Sequence, residues 1–108
     1  MTRYMIQVSY TSNAVVDLVK NPQDRSAVIR PLIEGMGGKM HSFDYCFGDY
    51  DVVVIAELPD NVSMAALSMA ISAGGAVGGL KTTVLLSMDE AVEAMRKAGS
   101  VAYLPPSS

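Results

Sequence analysis

Residues 46–54 read Cys46-Phe47-Gly48-Asp49-Tyr50-Asp51-Val52-Val53-Val54, and the fold turns on this stretch. A thiol, two carboxylates and a phenol stand directly ahead of three valines, so the segment is either a reactive cluster or a hairpin turn feeding a strand. Gly48-Asp49 decides between them. As a two-residue loop with glycine in the first central position, it suits a type II′ turn, whose twist matches antiparallel strands on either side. The expected strands are Lys39–Phe47 and Tyr50–Leu58, with Cys46 opposite Asp51, Tyr45 opposite Val52, Phe43 opposite Val54 and His41 opposite Ala56. Val52 to Ala56 is apolar on both faces, the pattern of a strand central in its sheet and covered on both sides.

The flanking chain supplies elements of matching kind. Tyr4 to Tyr10 alternates Tyr4, Ile6, Val8 and Tyr10 against Met5, Gln7 and Ser9, a half-buried strand. Thr11-Ser12-Asn13 offers N-cap oxygens for a helix that stops at Asn21-Pro22. Helix resumes after Pro22, with Asp24 near its start and Ile29, Leu32, Ile33 and Met36 on one stripe. Pro31 inside this stripe predicts a kink or a locally re-satisfied backbone, and Gly37-Gly38 predicts a left-handed C-terminal cap. Pro59-Asp60-Asn61 opens another helix through about Ala73. Gly74 to Gly79, GGAVGG, reads as a flexible connector able to close over a pocket; its glycines follow a helix, whereas a phosphate loop leads into one. Leu80 to Ser87 reads as a strand with Leu80, Thr82, Val84 and Leu86 on one face. Ser87 to Glu90 caps a last helix whose acidic start and Arg96-Lys97 end complement its dipole.

The order βαββαβ plus a C-terminal helix predicts an α+β, ferredoxin-like fold. Right-handed crossovers then place the first and third strands at the centre of a four-stranded antiparallel sheet with helices on one face. The domain is expected over residues 1–98, with an extended or disordered tail over 99–108. Half of the 108 residues are hydrophobic and 18% are charged, more apolar surface than one small body easily hides. A homo-oligomer across the open sheet face is expected, either a dimeric α/β-barrel-like pair or a ring.

Net charge is −3 and the eight Lys and Arg are scattered, which points away from nucleic acid. No apolar run reaches the ~20 residues of a membrane span, and no signal segment is expected. One cysteine allows no intrachain disulfide and suits a reducing compartment, so the expected location is cytoplasmic, without membrane association.

Several segments carry a family resemblance: Asn21-Pro22-Gln23-Asp24-Arg25, Gly37-Gly38-Lys39, the run FGDYDVVVIAELPDN from Phe47 to Asn61, and LKTTVLLSMDE from Leu80 to Glu90. Together, over roughly residues 1–98, they resemble the GYD-domain family. Its signature is a glycine, one variable residue, then Tyr-Asp entering an apolar strand, matched by Gly48, Asp49, Tyr50 and Asp51. The resemblance implies a small bacterial or archaeal ferredoxin-like domain related in architecture to dimeric α/β-barrel proteins. It implies no reaction, because fold does not determine function.

Asp44, Cys46 and Asp51, with His41 or Glu57, match no strong ligand spacing, so no metal and no cofactor is expected. Cys46 as a nucleophile would need a base, and His41 lies roughly 17 Å away along a regular strand. The candidate ligand-binding residues are His41, Tyr45, Tyr50 and Asp51, placed around a pocket between sheet and helices. Asp51 has a structural alternative in hydrogen-bonding turn N–H groups, and Tyr50 in capping the core. Two functions stay open: a non-catalytic homo-oligomeric domain binding a small molecule or a protein, or a cofactor-free enzyme of oxygenase or isomerase type. The enzyme would act on a small hydrophobic or aromatic metabolite with His41 as proton acceptor.

Overall fold

Strand β1, Thr2–Tyr10, buries Tyr4, Ile6 and Val8 and leaves the alternate side chains on the other face. This is the period-2 pattern of a strand with one face on a core. The computed structural model describes residues 1–107. After β1 come α1 (Ser12–Lys20), α2 (Ser26–Gly35), β2 (Lys39–Tyr45), β3 (Val52–Leu58), α3 (Asn61–Ala73), β4 (Val77–Leu85) and α4 (Met88–Ala98). The strands form one antiparallel sheet in the order β2-β3-β1-β4. The fold is ferredoxin-like α+β, with β1 and β3 central as right-handed crossovers require.

The core lies on one face of the sheet. Val52, Val54, Ala56 and Leu58 of β3 stand beside Tyr4, Ile6 and Val8, and Ile33 of α2 with Met64 and Leu67 of α3 close over them. The hydroxyl of buried Tyr4 donates to Asn61 Oδ1 at 2.6 Å, which satisfies its polar end at the start of α3. Local chemistry sets the helix ends. Thr11, Asp60 and Ser87 cap α1, α3 and α4 by accepting from the N–H groups of Ala14, Ser63 and Glu90, and Ser87 with Glu90 completes a capping box. Helix α2 continues through Pro31 as one element. It ends in a Schellman motif in which Gly37 takes φ 82° and Gly38 N–H donates to Ile33 O.

Three expectations are corrected. The turn is wider than a two-residue loop: β2 ends at Tyr45, β3 begins at Val52, and Cys46 N–H donates to the Asp51 carbonyl across the gap. Gly48 nevertheless has the positive φ, 127°, that the turn needs. Second, Phe43 pairs with Val54 and Tyr45 with Val52 as expected, but the register slips between Met40 and Ser42, so Met40, not His41, lies opposite Ala56. His41 is the extra residue of a β-bulge, and from there its side chain meets Glu57 on the open face. Third, the second half of GGAVGG is strand. Val77, Gly78 and Gly79 belong to β4, and a bulge opposite Ser9 and Tyr10 absorbs one residue.

Helix α4 contributes no residue to the buried core among the described residues. Its residues are exposed apart from half-buried Ala91, and the described residues after it have no helix or strand. The chain is correspondingly long, 58 × 34 × 22 Å with a radius of gyration of 17.5 Å, against about 13 Å for a compact chain of this size. Among the described residues, no helix is long and apolar enough to cross a membrane.

Candidate functional site

At one end of the sheet, β1 finishes beside the start of β3, Val8 pairing with Val52. The Thr11 N–H donates to the Ala76 carbonyl at 2.9 Å, tying the entry of α1 to the loop before β4. Between this end of the sheet and helices α1, α2 and α3 lies a cavity of about 570 Å³. Ile6, Val8, Val54, Leu67 and Ile71 make its apolar floor and wall. Its polar lining is confined to Tyr10, Asp17, Gln23 and Arg25. A smaller depression of about 370 Å³ shares Tyr10, Gln23, Arg25 and Phe43 with it and adds Tyr45 and Asp24.

The segment between α1 and α2 builds the polar rim. Asp24 Oδ1 accepts from both the amide and the hydroxyl of Ser26, at 2.9 and 2.5 Å. The side-chain bond, then the amide bond, holds the Asp24 carboxyl below its ordinary range. That turn directs Arg25, half-buried, whose Nη1 donates to Gln23 Oε1 at 3.0 Å. Among the described residues, no carboxylate lies within ion-pair distance of Arg25. Tyr10 stands at the same mouth. Burial raises its phenol above the ordinary value, the Arg25 charge opposes that, and Tyr45 and Asp51 reinforce it. Tyr10 therefore stays a neutral hydrogen-bond donor at neutral pH.

The residues expected from the sequence fall in different places. Tyr45 borders the smaller depression, 64% exposed. Asp51 lines neither cavity; its Oδ2 accepts from the Tyr10 amide at 2.8 Å, and its own amide donates to the Val8 carbonyl at 2.8 Å. Tyr50 is half-buried away from both, and its carbonyl accepts from Cys46 Sγ at 3.2 Å. His41 lies on the open face with Nε2 at 3.1 Å from Glu57 Oε2, and lines none of these cavities. That hydrogen bond is the main reason the Glu57 carboxyl is held below its ordinary range. Among the described residues, no three His, Cys, Asp or Glu side chains converge as a metal site would require. The structure brings together Tyr10, Gln23 and Arg25, none of them among the ligand-binding residues expected from the sequence. The available signal was the polar Asn21–Arg25 segment, but its position over the sheet follows from the crossover of the chain.

A ferredoxin-like α+β domain with an apolar cavity between sheet and helices is a class of architecture that serves many functions. Within that class the chain belongs to the GYD domain family, whose model matches residues 4–95. Among curated proteins none matches the chain.

Proposed function

We propose that the protein is a non-catalytic, homo-oligomeric cytoplasmic domain that binds a small molecule between its sheet and helices. The observation that carries the reading is the cavity of about 570 Å³. It falls within the range of small-molecule sites and has their character, an apolar lining with a few convergent polar groups. The enzyme alternative named His41 as its proton acceptor, and His41 faces Glu57 on the opposite side of the sheet. That alternative therefore lacks its base at the cavity.

Self-association is proposed across the open sheet face. Met5 and Ile55 form an apolar cross-strand pair there, with Val53 and Leu85 in the adjacent rows paired to Gln7 and Arg3. Arg3, Glu57, Lys81 and Asp44 surround it. An apolar centre with a charged rim is the usual anatomy of a protein interface.

Native mass spectrometry of the purified protein, with and without denaturation, tests the ligand reading. The expected result is a small molecule retained by the folded species and released on unfolding, with retention lost in Ala70→Trp, whose indole would occupy the cavity. Retention unaffected by that change would place the ligand elsewhere and overturn the reading.

A further inference from the structure

We infer that the cavity takes a small apolar carboxylic acid, its carboxylate at Arg25 and Tyr10 and its apolar body over Val8, Val54, Leu67 and Ile71. This deepens the ligand-binding reading and rests on it. The observations are the single cation on the cavity lining, the state of that cation, and the chemistry of the floor beneath it.

Among the described residues, Arg25 is the only Lys or Arg on either cavity's lining. It is half-buried and anchored to a neutral partner, the Gln23 side-chain oxygen, with no intrachain carboxylate in ion-pair reach among the described residues. A guanidinium in that state keeps N–H donors available and prefers a planar, bidentate anion. Tyr10 supplies a second donor at the same mouth. Tyr10 and Arg25 line both the larger cavity and the smaller depression.

Two carboxylates also line the cavities, and both bear on the choice. Asp24 borders the smaller depression, but its Oδ1 is engaged by the amide and hydroxyl of Ser26. Asp17 lines the larger cavity from the exposed surface of α1. Its charge stands in water and is screened there, whereas Arg25 is half-buried as a residue. An anion placed at Arg25 is therefore favoured over a cation placed at Asp17. Below the mouth no polar side chain interrupts the floor: Ile6, Val8, Val54 and Leu67 are buried core residues. An apolar tail suits it, and a polyanion or sugar would leave its polar groups unpaired there.

Isothermal titration with octanoate, octanol and octylamine, one apolar skeleton carrying three different heads, tests the inference. Octanoate is expected to bind at least about tenfold more tightly than octanol, the scale of a charge-assisted hydrogen bond. Arg25→Gln should remove that difference by weakening octanoate while leaving octanol unchanged. Arg25→Lys should restore part of it, because an ammonium keeps the charge without the planar fork. Octylamine binding most tightly, or octanoate indifferent to Arg25→Gln, would overturn the carboxylate assignment. If octanol and octanoate then both weaken in Ala70→Trp, the cavity reading survives that failure. If no skeleton binds at all, both fall together. Circular dichroism of each variant establishes that the fold is intact.

Discussion

Asp51 joins two strands and a turn. Its carboxylate holds the Tyr10 amide where β1 ends, its amide donates to Val8, and its carbonyl accepts from Cys46. A carboxylate that partners a half-buried amide cannot be removed without leaving that donor unsatisfied. Asp51→Ala is therefore expected to destabilise the fold by about 1–3 kcal/mol, read from urea denaturation, with Asp51→Asn retaining part of the loss. The Tyr-Asp pair of the signature thus has a structural use in this chain. Glu57 offers a second test at this scale. Its carboxyl is depressed chiefly by the His41 hydrogen bond. Whatever stability this pair contributes is present above the ordinary Glu pKa and is lost as pH falls through the lowered folded value. Screening keeps it small for side chains this exposed. In a carboxyl NMR titration, the Glu57 midpoint should lie below the ordinary glutamate range and rise toward it in His41→Ala.

The elements differ in how much they depend on the rest of the molecule. The end of α2 is locked to β3: a Cβ at Gly38 would run into the Glu57 carbonyl oxygen and stand 2.9 Å from Leu58 Cδ2. Gly38→Ala should cost about 1–3 kcal/mol, as overpacking against backbone does. Denaturation midpoints would show it, and an unchanged midpoint would mean the α2–β3 contact can yield. Helix α4 is the opposite case. It has its own capping box and dipole-matched charges but buries no residue, and a helix this short is marginal alone. Ser87→Ala is expected to lower helical ellipticity without moving the melting of the sheet. Truncation after Leu86 should leave the urea midpoint of the remaining domain nearly unchanged. The caps at Thr11, Asp60 and Ser87 and the glycine at Gly37 were legible because each is a hydrogen-bonding device acting within a few residues of its own helix. The bulges at His41 and Gly78 were not. One extra residue in a strand preserves its composition and reverses its facing, and only the partner strand reveals the slip.

For the whole molecule, the open sheet face is the feature with the largest consequence. If copies associate through the Met5–Ile55 row, Ile55→Lys places a charge at the centre of the contact. Light scattering after gel filtration should then read a monomer where the parent chain is larger. A parent already monomeric at high concentration would dispose of the proposed interface. Element order, the central place of β3 and the helix ends follow from sequence alone, because hydrophobic period, turn chemistry and capping act over short stretches of chain. The remaining features depend on how distant segments pack. Tyr10, Gln23 and Arg25 share a cavity mouth because the crossover from β1 carries α1 and α2 back over the sheet, bringing a strand end and an interhelical turn into one place. His41 stands apart from that cavity because one bulged residue turned it through the sheet toward Glu57.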